Sequence, residues 1–163
     1  MSNKLSIRIA QTHEDFDLLR PLSLAFHNES RYSHIPYSFE KRDKLFQKAL
    51  THPKQYVLFI AEFKNKPVGF LFCATSEYIV GSDILITTIY SFYVSPEVRN
   101  GLIGGKAFIG LLKNVVDWSA KRNASEIQIH VTSGINIKRT DVLMKKSGFR
   151  LIGGNYSIPL SSS

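Results

Sequence analysis

The chain has a single cysteine in 163 residues, Cys73, so no internal disulfide forms and a four-cysteine zinc site is excluded. It has one tryptophan, two methionines and six prolines, none of which marks a low-complexity segment. No apolar run approaches the ~18 residues of a membrane span. The opening residues, MSNKLSIRIAQ, lack the apolar core of a secretory signal, and the expected location is cytoplasmic. Internal repeats, a Gly/Pro/Ser-rich linker and any run of five like charges are all missing, so one domain over residues 1–163 is expected. Acidic residues are the scarcest charged class: 13 Asp and Glu face 21 Lys and Arg, a net charge of +8. That balance favours a polyanionic partner, whether nucleic acid, a phosphorylated cofactor or an anionic surface, without choosing among them. At 44% apolar residues, a chain of this length buries a core without help from metal or disulfide.

Periodicity gives the order β, α, α, β, β, β, α, β, α, β, β. Leu5 to Ala10 alternates as a strand. Thr12 and the acids after it suit a helix start, and Pro21 breaks or kinks the helical spacing that follows. A second helix is expected over 39–50, then a hairpin of strands 55–63 and 68–76 around Lys64-Asn65-Lys66-Pro67. Residues 84–94, ILITTIYSFYV, are β-branched and aromatic almost throughout, which predicts a long, buried strand. A loop over 95–105 leads into the clearest helix, 106–122, whose stripe comprises Phe108, Leu111, Leu112, Val115, Val116 and Trp118. Strand 127–131 and a short helix over 136–146 follow. A final hairpin over 149–152 and 156–160 completes a mixed, mostly antiparallel α/β (α+β) sheet of about seven strands, flanked by helices on both faces.

The segment richest in chemistry is VSPEVRNGLIGGKAF, Val94 to Phe108. A buried strand runs into a loop with three glycines, and the loop opens into a helix. The first amides of a helix lack internal partners and carry partial positive charge, an arrangement suited to phosphate. Arg99 and Lys106 add positive charge at its lip. The loop is not GxxxxGK[ST], because Ala107 follows Lys106, and Gly101-Leu102-Ile103-Gly104-Gly105 does not have dinucleotide GxGxxG spacing.

In order and spacing, Ala61-Glu62…Pro67-Val68-Gly69-Phe70, Phe92-Tyr93-Val94-Ser95-Pro96-Glu97-Val98-Arg99 and Lys145-Lys146-Ser147-Gly148-Phe149 resemble a GNAT-type N-acetyltransferase over nearly the whole chain. The resemblance implies acetyl-CoA as cosubstrate and transfer of its acetyl group to a primary amine of a small molecule, peptide or protein. Its pyrophosphate loop, [QR]-x-x-G-x-[GA], falls on Arg99, Asn100, Gly101, Leu102, Ile103 and Gly104, with Gly105 following; Leu102 replaces the middle glycine. Strand residues Phe92 and Val94 match positions that pair with the pantetheine arm, and Asn136 matches an asparagine near the sulfur. The Val94 amide is the candidate for polarising the thioester carbonyl.

The family's usual side chains for proton transfer are not matched. No carboxylate lies on strand 84–94, and Met144 occupies the position of the usual tyrosine donor. Tyr90, Ser133, His130 and Tyr156 are the substitutes, Tyr90 and Ser133 foremost. The aromatic-basic stretch Arg31 to Tyr37 matches the region that lines the acceptor cleft in this fold. The resemblance also implies a homodimer; no membrane partner is expected without a long apolar run, and no metal, because His27, His34 and His52 lie too far apart to read as a ligand motif. Two alternatives stay open: the basic excess motivates a toxin that acetylates aminoacyl-tRNA, and the missing tyrosine and glutamate motivate a non-catalytic acyl-CoA- or nucleic-acid-binding module.

Overall fold

A computed structural model describes residues 4–131, 136–154 and 156–158. The element order is β1 (Ser6–Ile9), α1 (His13–Leu18), α2 (Arg20–Asn28), α3 (Phe39–Thr51), β2 (Tyr56–Phe63), β3 (Lys66–Glu77), β4 (Leu85–Val94), α4 (Pro96–Arg99), α5 (Leu102–Ala120), β5 (Ala124–Ile129) and α6 (Ile137–Lys146). The sheet has the strand order β1-β2-β3-β4-β5. The first three pairings are antiparallel, and β5 joins β4 in parallel after the α5 crossover. Pro21 sits in the first turn of α2, where its missing N–H costs nothing, and this separates α1 from α2. The β2–β3 turn is tight because Lys64 and Asn65 both adopt positive φ (53° and 60°), as a two-residue hairpin requires.

Alternation along the strands gives the sheet two apolar faces. Val57, Phe59, Leu71, Cys73 and Ile89 meet Leu111, Leu112, Val115 and Trp118 of α5. Leu58, Ile60, Phe70 and Phe72 meet Phe16, Leu22 and Phe46 of the first three helices and Leu19 between α1 and α2. Val116, expected in the α5 stripe, is exposed; one residue beyond Val115, it is turned about 100° away from the sheet. Burial pushes the Cys73 thiol up to about 12, so it is packing and not a reactive thiolate.

Two expectations are corrected. Among the described residues the sheet has five strands and not seven: 149–154 and 156–158 adopt no strand, and Asn155, Pro159 and Leu160 of the expected hairpin lie outside the described residues. Helix α5 begins at Leu102, four residues earlier than its apolar stripe suggests, and the preceding loop contains the single turn α4. The glycines at 104 and 105 therefore belong to the first turn of a helix. No helix among the described residues is long and apolar enough to cross a membrane.

Candidate active site

The site begins with a break in pairing on β4. Leu85 to Ile89 are held on both sides, by β3 and by β5, and the last β4–β5 pair is Ile89 with Ile129. Beyond that pair Ser91 to Val94 pair only with β3, and Tyr90 pairs with neither neighbour. The Ser95 amide donates to the Val68 carbonyl at 2.8 Å. Alternation from that bond turns the amides of Val94 and Phe92 to the opposite, unpaired edge. Both residues assigned to the pantetheine arm thus turn unpaired amides to the gap, while the Val94 carbonyl accepts from Arg99.

A bulge sets the side chains. Phe72 pairs with Ser91 and Cys73 with Ile89, leaving Tyr90 as the extra residue. In a regular strand Tyr90 and Tyr93 would point to opposite faces. Here both point toward α2 and α3: Tyr90 lies 6.0 Å from Phe72, and Tyr93 lies 5.7 Å from Phe26, ring centre to ring centre. Phe92 points the other way and stacks on Phe108 of α5 at 4.7 Å.

The gap opens into a cavity of about 1100 Å³ running from the α2–α3 side to α5 and α6. Its walls include most of the expected residues: Tyr90, Phe92 and Val94 from the strand, Arg99, Asn100, Gly101, Gly104 and Gly105 from the loop and helix start, and Asn136 from α6. Ile103 does not reach the wall, so only its amide can contribute. Lys106 is exposed outside the wall. Ser133 lies outside the described residues. His130 lines the cavity, as does Met144 at the usual donor position; Tyr156 is almost fully exposed and does not. From the Arg31–Tyr37 stretch, Tyr32, Ile35, Pro36 and Tyr37 line the cavity, whereas Arg31 and His34 do not.

The amides of Leu102, Ile103 and Gly104 donate to no protein group among the described residues. Gly101, the N-cap, has no side chain to cover them. They form an uncapped helix end beside the cavity. The glycines have unequal roles. A Cβ on Gly104 would stand 2.2 Å from the Val98 carbonyl oxygen, so this glycine lets α5 close on α4. A Cβ on Gly105 would meet nothing within 4 Å, and its surface faces the cavity. Asn136 caps α6 by accepting from the Arg139 amide at 3.3 Å, and Arg139 reaches across to the Asn100 side chain at 2.9 Å, linking α6 to the loop.

Arg99 differs from expectation. Its guanidinium is not a free charge at the lip. It forms a forked pair with Glu29 of the α2 C-cap at 2.7 and 3.1 Å, donates from Nε to the Val94 carbonyl at 3.0 Å, and lies over the Tyr93 ring. The Tyr93 hydroxyl donates to the same carboxylate at 2.5 Å. Burial alone would raise the Glu29 carboxyl; the hydrogen bonds from Arg99 and Tyr93, with the Arg99 charge, outweigh it and hold Glu29 below its ordinary range. Burial and the Glu29 hydrogen bond raise the Tyr93 hydroxyl. Nothing in the sequence singled out Glu29: its partner lies 70 residues away. Burial, followed by the nearby Tyr56 and Cys73, raises the Tyr90 hydroxyl, which stays protonated at neutral pH.

The sequence profile of the Acetyltransferase (GNAT) family matches residues 20–149. The chain belongs to this family. The GNAT chain also aligns with solved structures over nearly its whole length. One is a probable acetyltransferase (21% identity, 97% of this chain and 99% of that one, TM-score 0.69). A second is AAC(6')-Iy in complex with the bisubstrate analog CoA-S-monomethyl-acetylneamine (13%, 98% and 99%, 0.70). A third is glucosamine-6-phosphate N-acetyltransferase from Arabidopsis thaliana (13%, 98% and 98%, 0.64). A search of the curated proteins finds no match. The expected fold class stands: a mixed sheet with helices on both faces.

Proposed function

We propose that this GNAT protein transfers the acetyl group of acetyl-CoA to a primary amine by direct attack in a ternary complex. The observation that carries the reading is the coincidence of a strand edge with unpaired amides on the cavity and, beside it, a helix start with three uncapped ones, of which Gly104 lines the wall. Both fit the same elongated ligand: peptide-like groups of the pantetheine arm suit the Phe92 and Val94 backbone, and a pyrophosphate suits the Leu102–Gly104 amides. Gly105 leaves the wall open beside them. Asn136 and Arg139 close the α6 side.

Acetyl-CoA supplies an activated thioester. The Val94 amide donates to the thioester carbonyl as negative charge grows on its oxygen. The acceptor nitrogen forms the C–N bond as the C–S bond breaks. Tyr90, protonated and facing the cavity, gives its proton to the departing sulfur and recovers one, through solvent, from the acetylated nitrogen. Met144 lines the cavity without a proton to give, and Tyr90 takes that task in this reading. Ser133 remains a second candidate for the same step.

Thermal denaturation with and without acetyl-CoA, alongside thiol release over an amine panel, tests the reading. Saturation at about 100 times Kd adds roughly 2.7 kcal/mol of stability. Tyr90→Phe lowers kcat by about a hundredfold with the KM for acetyl-CoA unchanged. A protein that ignores acetyl-CoA but binds RNA in a salt-sensitive manner is a nucleic-acid module instead.

A further inference from the structure

We infer that the acceptor is a primary monoamine with an aromatic or similarly apolar body, and not a polycation; this rests on the transferase reading. The acceptor side of the cavity, between α2, α3 and the bulged half of β4, is walled by Phe26, Tyr32, Ile35, Tyr37, Tyr90 and Tyr93. Several of these rings are fixed by one another. Phe26 meets Tyr93, and Tyr37 is held between His27 at 5.1 Å and Phe39 at 5.0 Å. Flat faces held in place in this way suit a planar or branched apolar body.

The charges on the same wall exclude the other class. Glu29 is the sole carboxylate lining the cavity among the described residues, and the chain outside them has no acidic side chain at all. Glu29 is already committed to Arg99 and Tyr93. Lys41 and Arg42 line this side too; Arg42 is paired with Asp43, which lies off the wall, and Lys41 has no ion pair among the described residues. A polyamine or aminoglycoside brings several ammonium groups, each needing a carboxylate, into a wall that offers none free and presents cations. A monoamine brings one positive charge and loses it before attack, a loss that apolar and positive surroundings favour. The same wall thus offsets the missing carboxylate base of β4.

The test compares 2-phenylethylamine with spermidine and kanamycin as acceptors for the purified full chain. Thiol release and equilibrium binding in the presence of CoA are read for each, with acetyl-CoA binding measured separately. The expected result is a kcat/KM for 2-phenylethylamine at least about tenfold above either polycation, with binding in the same order. Tyr32→Asp, on an exposed loop, then moves the ratio toward spermidine. Preference for a polycation, equal use of both classes, or neither binding nor turnover of 2-phenylethylamine overturns the inference. Retained acetyl-CoA binding alongside such a result means that only the acceptor class is wrong. Its loss means that the transferase reading itself has failed.

Discussion

The two halves of β4 read as one strand-forming run, aliphatic then aromatic, and have opposite tasks. Leu85 to Ile89 are paired on both edges, and Thr87 and Ile89 are buried there, the Thr87 hydroxyl meeting that of Thr75 at 2.9 Å. Tyr90 to Val94 continue the run, yet Ser91 to Val94 pair on one edge only and the bulged Tyr90 on neither. The difference comes from what lies beside them. Strand β5 ends at Ile129, and the bulge at Tyr90 changes the phase of the strand. One half stabilises the sheet, and the other exposes backbone that a ligand can complete.

This contrast can be broken at either half. Ile89→Ala removes a fully buried side chain between β3, β5 and α5 and costs about 3 kcal/mol, read as a lower denaturation midpoint. Val94→Pro deletes an amide that no strand uses; the fold persists, and acetyl transfer falls about a hundredfold, or about 2.7 kcal/mol. A Val94→Pro protein with full activity would place the carbonyl donor elsewhere. Glu29→Gln weakens the hold of Arg99 on the Val94 carbonyl and costs about 1 kcal/mol, with a raised KM for acetyl-CoA. The sign of its pH dependence follows from the lowered Glu29 carboxyl. The wild-type advantage is fully present above the ordinary value of 4.5 and disappears as pH falls through the depressed folded value. Denaturation midpoints of both proteins between pH 3 and pH 7 check this. The smallest effect is at Gly105. Gly105→Ala restricts the unfolded chain at a helical position with open space and adds roughly 0.5 kcal/mol of stability, while weakening acetyl-CoA binding. The same change at Gly104 destabilises, because the new methyl meets the Val98 carbonyl.

Strand periods, the Pro21 break and the α5 stripe were legible in the sequence because each reports a local rule. Motif spacing named Phe92, Val94, Gly101 and Gly104 as expected backbone contributors, and all four line the cavity. The start of α5 was not, since Gly104 and Gly105 read as loop until the packing of α5 on α4 is known. The partner of Arg99 was hidden for a different reason: a forked pair between residues 29 and 99 leaves no trace in spacing or periodicity. The closing hairpin fails on the same ground, as Leu151 and Ile152 carry strand-like side chains but remain exposed, with no neighbouring strand among the described residues.

Residue-level hydrogen exchange on the protein with and without acetyl-CoA probes the open half of β4 most directly. The amides of Phe92, Val94 and Leu102 to Gly104 should gain protection on binding, while those of Leu85 to Ile89, already locked between two strands, should not change. Protection gained elsewhere, with these five amides exchanging at the same rate as in the free protein, would contradict the account.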